Sequence, residues 1–136
     1  MTRPSWNSYW ASMARLVASR ATCPRLHVGC ILVRGNRLLA TAYNGSLPGA
    51  QHCDDVGCLL VNGSCQRTVH AEQNALLDAA SRGVSVNGAT AYVTHQACTT
   101  CVKLLAAAGI VDIWFLEPYG QSLDVFSCFQ KHLNPE

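Results

Sequence analysis

Residues 70–117 read HAEQNALLDAASRGVSVNGATAYVTHQACTTCVKLLAAAGIVDIWFLE, and this stretch decides the architecture. Residues 70–82 carry a helical pattern, and Gly83 stands where a helix takes its left-handed terminating residue. Residues 88–94 form an apolar strand run. A second helix is predicted over 98–108, stopped by Gly109, and another strand over 110–116. Strand, crossover helix and strand make a βαβ unit, so these two strands are expected to be parallel with a right-handed crossover. Upstream, residues 28–33 and 37–43 are two apolar runs joined by Arg34-Gly35-Asn36, a hairpin whose turn residues tolerate positive φ. Residues 5–20 place Trp6, Trp10, Met13 and Val17 on one helix face, read as a core-facing stripe. The tail, residues 121–133, spaces Leu123, Phe126, Phe129 and Leu133 as another helical face ending near Pro135. The sum is a three-layer α/β/α sandwich with a mixed sheet of about five strands.

Composition agrees with a single domain over residues 1–136. The chain is 49% apolar and only 13% charged, which excludes a disordered segment. It holds no internal repeat and no low-complexity tract. No apolar run approaches the ~20 residues needed to span a bilayer, and the start MTRPSWNSYW lacks a signal-peptide core, so a cytoplasmic protein is expected. Ten basic and eight acidic residues leave a net charge of +2, too little for a surface built to hold long nucleic acid. Small substrates are favoured.

Eight cysteines are the feature that needs explaining: Cys23, Cys30, Cys53, Cys58, Cys65, Cys98, Cys101 and Cys128. Without an export signal, clustered cysteines read as metal ligands or catalytic thiols rather than disulfides. Two fragments stand out, His70-Ala71-Glu72 and, 26 residues past Glu72, Cys98-Thr99-Thr100-Cys101; each opens a predicted helix. Cys98 and Cys101 are i and i+3, so their sulfurs lie on one side of a turn and can share a metal. Unsatisfied N–H groups at a helix start favour the thiolate that a metal binds. With His70 as third donor, a tetrahedral Zn²⁺ keeps one position for water. Glu72 is placed to move that water's proton. This H-x-E and P-C-x-x-C pairing marks zinc nucleobase deaminases, with Ala97 here in the proline position. The same Cys-x-x-Cys alone would also suit a structural zinc or a redox pair.

Cys53, Cys58 and Cys65 fall in a Gly-, Asn- and Asp-rich stretch, residues 44–68, too long for an unpinned loop in a compact domain. A second, structural Zn²⁺ would turn ligand binding there into folding energy. Its fourth ligand must come from outside the run, Cys23 first and His52 second. Cys30 and Cys128 read as small core residues.

On these residues the chain resembles the deoxycytidylate (dCMP) deaminase family, within the wider zinc cytidine-deaminase fold. The resemblance covers residues 5–119. It rests on Thr22-Cys23-Pro24-Arg25 before Val28-Gly29, on Tyr43-Asn44-Gly45, His52-Cys53, Gly57-Cys58 and Cys65, on residues 67–75, and on Cys98, Cys101 and Lys103. The spacing from Asn44 to Cys53 is similar to that of bacterial and phage members with extra cysteines. The resemblance implies hydrolysis of dCMP to dUMP with release of ammonia. It implies zinc on His70, Cys98 and Cys101, with Glu72 as proton shuttle. It also implies Asn44 against the sugar, Arg25 and Tyr119 at the 5′-phosphate, and Ala71 among the substrate contacts. Homo-oligomers, hexamers above all, and dCTP and dTTP as effectors belong to the same picture. Ala42 and Leu47 stand where many relatives carry Gly and Pro, and Cys30 where alanine is common. His95 ends a strand just before the cysteine helix, where it could line the pocket but a solvent-facing side chain is the expected reading.

Other readings remain open on sequence alone. They are a deaminase of free (deoxy)cytidine, of dCTP or of tRNA adenosine, and a non-catalytic scaffold stabilised by zinc.

Overall fold

The computed structural model describes residues 2–119 and 124–134. Helix α1 (Trp6–Ala18) opens on Ser5, whose hydroxyl accepts the Ser8 N–H at 3.2 Å. Strands β1 (Gly29–Arg34) and β2 (Arg37–Tyr43) form the expected hairpin. Gly35 and Asn36 both take positive φ, 58° and 57°, as a two-residue turn between right-twisted strands requires. The long loop is less irregular than its composition suggests. It contains a one-turn helix, α2 (Cys53–Val56), and a small hairpin of β3 (Leu60–Val61) and β4 (Ser64–Cys65). Then follow α3 (Ala71–Ser81), β5 (Thr90–His95), α4 (Thr99–Ala107), β6 (Asp112–Glu117), α5 (Asp124–Ser127) and β7 (Lys131–His132). Gly83 and Gly109 hold positive φ just past α3 and α4.

The main sheet has five strands in the order β2-β1-β5-β6-β7. β1 pairs antiparallel with β2 and β5, while β5–β6 and β6–β7 are parallel, so the sheet is mixed and the βαβ unit is present. Period-two alternation sorts the side chains. Ile31, Val33 and Tyr92 pack with Trp10, Ala11 and Ala14 of α1. Cys30, Leu32, Ala91 and Val93 pack on the other face with α3 and α4. Gly29 lies where α1 crosses β1 so closely that a Cβ would strike the Ala14 carbonyl and the Ala18 backbone.

Three expectations need correction. In α1 the buried stripe is Trp10, Ala11, Ala14 and Ala18, with Met13 and Val17 half-buried beside it; Trp6 is 55% exposed. The small alanines, not the largest rings, let the helix approach the sheet. The tail is not one helix but the single turn α5 followed by edge strand β7, because the sheet still offers the open edge of β6 there. Phe126 packs on the core and Leu133 is buried, but Phe129 is half exposed, and Leu123 lies outside the described residues. Cys128 is exposed beyond α5 rather than a core residue, whereas Cys30 is fully buried as expected.

Candidate active site

Helices α3 and α4 pack side by side, and this brings their first residues together. His70 and Cys98 are the residues immediately before each helix. Both hold extended backbone, φ −64°, ψ 148° and φ −70°, ψ 165°. The Gln73 side-chain Oε1 accepts the His70 N–H at 3.3 Å. The imidazole and the thiol face one another. His70 Nδ1 lies 3.7 Å from Cys98 Sγ and 3.3 Å from Cys101 Sγ, and all three donor atoms lie within 4.8 Å of one another. One nitrogen and two sulfurs are the donor set that zinc prefers, and Cys101 is fully buried.

The local electrostatics suit a cation. The Cys101 thiol donates to Cys98 and, with His70, holds its thiol near 4; Cys101 is pushed up by the same pairing and by burial. Two sulfurs thus share one negative charge. Hydrogen bonding to Cys98 raises His70. Glu72, the second residue of α3, is 5% exposed, and burial raises its carboxyl above the ordinary range. Cys30 lies beneath it, pushed up by burial and then by the Glu72 charge.

His70, Glu72 and Cys98 line a cavity of about 420 Å³ together with Arg25, Leu26, Asn44, Thr68, Ala71, His95, Gln96 and Tyr119. Asn44 is nearly buried and bridges backbone, its Oδ1 accepting from Val28 N–H at 2.8 Å and its Nδ2 donating to the Leu26 carbonyl at 2.8 Å. Arg25 Nη1 donates to the Gly63 carbonyl at 3.5 Å, so the tip of the β3–β4 hairpin steadies the guanidinium on one wall. Tyr119 stands on the other wall, 56% exposed, its N–H donating to Gln96 Oε1 at 3.2 Å. His95 does not turn to solvent: it is half-buried and lines the cavity, edge-on to the Tyr119 ring at 6.1 Å. The end of β5 carries it there because the chain must bend into α4. Gln96 and Thr68 are cavity residues the sequence reading missed. Nothing in their local pattern marks them, since only the closure of the loop over α3 and α4 puts them on a wall.

Cys53, Cys58 and Cys65 form a second group whose sulfurs lie within 4.8 Å of one another, Cys53 and Cys65 being 3.6 Å apart. Burial pushes the Cys53 thiol up to about 12. Cys65, which burial alone would raise, is brought down to about 6 by hydrogen bonds with the Thr68, Arg67 and Leu59 backbone. Cys23 is in side-chain hydrogen-bond contact with Cys58. His52 points elsewhere, with Nδ1 3.0 Å from the Thr22 hydroxyl.

Residues 4–117 match the family described as the cytidine and deoxycytidylate deaminase zinc-binding region. The chain belongs to this deaminase family. It is 46% identical over 128 residues to ComE operon protein 2 of Bacillus subtilis, covering 90% of this chain and 68% of that one. It is 40% identical over 136 residues to a deoxycytidylate deaminase of Schizosaccharomyces pombe, covering 94% of this chain but 42% of the yeast protein. The chain thus spans less than half of that yeast relative's length. Among solved structures it is similar to the dCMP deaminase of cyanophage S-TIM5 in complex with dCMP and dUMP. That match has a TM-score of 0.84 and 28% identity, over 98% of this chain and 100% of that one. Zinc is the cofactor of this deaminase, in keeping with the family's zinc-binding region and the His70, Cys98 and Cys101 group.

Proposed function

We propose that this deaminase hydrolyses dCMP to dUMP and ammonia, supplying the precursor of thymidylate. One observation carries the reading: a single cavity of about 420 Å³ is lined by His70 and Cys98 of the His-Cys-Cys donor set, a buried carboxyl and a guanidinium. That volume suits one small ligand. The full-length likeness to the phage dCMP deaminase supports the same substrate.

His70, Cys98 and Cys101 would hold the zinc. When bound, it supplies Lewis acidity that makes water nucleophilic near neutral pH. The chain's own residues then handle binding and protons. Glu72 accepts the proton of the attacking water and delivers it to ring N3. It next moves the proton of the new hydroxyl to the departing amine, which leaves C4 as ammonia, and the ring keeps the water oxygen as its carbonyl. Burial favours this shuttle, because a carboxylate stripped of water takes up a proton more readily. Asn44 and Ala71 would border the sugar and base. Arg25 and Tyr119 would face the 5′-phosphate, where a forked guanidinium suits anionic oxygens.

Cys53, Cys58 and Cys65, with Cys23 beside Cys58, would hold a second, structural zinc. A closed thiolate set suits that ion, and residues 45–69 contribute nothing to either hydrophobic core cluster. A homo-oligomer, as a hexamer, and a dCTP/dTTP response complete the reading, together with a cytoplasmic location. No helix among the described residues is long and apolar enough to cross a membrane.

The deciding experiment measures ammonia release from dCMP, deoxycytidine, dCTP and adenosine in parallel, with zinc counted per chain. Selective turnover of dCMP is expected, and equal turnover of deoxycytidine would overturn the assignment. Light scattering with and without dCTP or dTTP tests the assembly.

A further inference from the structure

The position before Cys98 is the one place where this chain departs from the family's P-C-x-x-C pattern. It carries Ala97, which is fully buried. Proline there would fix φ and stiffen the entry to the cysteine helix. Alanine fixes nothing, and unlike proline it brings an N–H into the interior that must find an acceptor. Both needs are met by one side chain. Ala97 N–H donates to Gln130 Oε1 at 3.0 Å, and Gln130 Nε2 donates to the Ala97 carbonyl at 2.9 Å. The amide thus grips both polar groups of one residue, like a rung of an antiparallel ladder. Gln130 is itself 6% exposed, so water competes weakly for either bond.

Gln130 is firmly placed. It precedes β7, which pairs with β6, and Leu133 N–H donates to the Phe115 carbonyl at 2.8 Å. Leu133 is buried in the α1 side of the core. Gln130 also lies beyond residues 4–117, the stretch that matches the family. The segment that steadies Ala97 therefore lies outside the zinc-binding region that defines the family.

We propose that Gln130 is a positioning residue for the catalytic zinc site: its clasp on Ala97 fixes the backbone from which Cys98 presents its sulfur, in place of the proline. This rests on the reading that Cys98 is a ligand. A sulfur at the first residue before a helix is aimed by the two backbone torsions preceding it, so freedom at Ala97 becomes freedom at Cys98 Sγ. Groups that orient metal ligands typically matter by about 10–100-fold in metal affinity.

The test uses the full-length zinc protein with Gln130→Ala, Gln130→Glu, Ala97→Pro and the double variant Ala97→Pro/Gln130→Ala. Zinc release to a chromogenic chelator is followed at a temperature where all are folded, alongside the visible spectrum of the cobalt(II)-substituted forms. Gln130→Ala is expected to release the zinc whose loss abolishes turnover at least about tenfold faster and to shift the cobalt bands. Gln130→Glu, whose carboxylate cannot donate to the Ala97 carbonyl, should behave alike. The double variant should recover zinc retention to within about threefold of wild type, because the proline ring restores the lost restraint. Gln130→Ala that melts earlier yet keeps wild-type release and spectrum would overturn the proposal, as would a double variant no better than Gln130→Ala. Zinc content of Cys98→Ser, measured beside these, reports on the ligand reading separately.

Discussion

The Thr94 hydroxyl lies 2.8 Å from Nδ1 of His95 while accepting the Gly29 N–H at 3.0 Å. A buried hydroxyl that already accepts needs an acceptor for its own proton, and Nδ1 provides one. We assign the ring proton of a neutral His95 to Nε2, a donor on the cavity wall. Burial lowers its pKa below the ordinary imidazole value of ~6.5. In the window just below ~6.5 the unfolded chain binds this proton and the folded chain does not. The stability contribution thus rises with pH and is lost as pH falls through that window. Nitrogen-15 NMR should show the Nε2–H tautomer at pH 7. The difference in unfolding free energy between wild type and His95→Gln should change with pH in that direction; a flat difference would refute the assignment.

Glu72→Gln keeps the shape of the buried side chain but cannot accept a proton. Turnover of dCMP should fall by roughly 10²–10⁴-fold with zinc content unchanged. Retained turnover would remove Glu72 from the proton pathway.

Arg25→Ala should raise KM for dCMP by about 10–100-fold, the scale of one charge-assisted hydrogen bond. The kcat/KM for deoxycytidine, which lacks the phosphate, should stay where it was. Parallel losses for both substrates would mean that Arg25 supports the wall through Gly63 instead of binding phosphate.

Cys58→Ser should lower zinc from two atoms per chain to one and reduce the denaturation midpoint, since the proposed second metal would cross-link residues 53–65. Gly63 and Cys65 also line the cavity, so KM for dCMP should rise as well. An unchanged zinc count would dispose of the second site.

Gly29→Ala places a methyl group against the Ala14 carbonyl and the Ala18 backbone of α1. Forcing the helix from the sheet should cost about 1–3 kcal/mol in urea unfolding. A neutral result would mean that α1 rides more loosely on β1 than the packing of Ala11 and Ala14 implies.

Local pattern alone marked helices α1, α3 and α4, the β1–β2 hairpin, the βαβ unit and the two metal-donor fragments. In each case the signal is local: apolar period, glycine past a helix end, or cysteines at i and i+3, which backbone geometry turns directly into a shared face. It misplaced Trp6, His95, Cys128 and the final helix, because burial at those positions depends on what arrives from elsewhere in the chain. Long-range packing alone adds β7 to the sheet and brings Gln130 onto Ala97, 33 residues away. Only it set Arg25 against Gly63, 38 residues away. Such pairings leave no periodic mark. They are chosen by the packing of whole layers, after which a buried N–H or carbonyl must take whichever partner the fold has brought within reach.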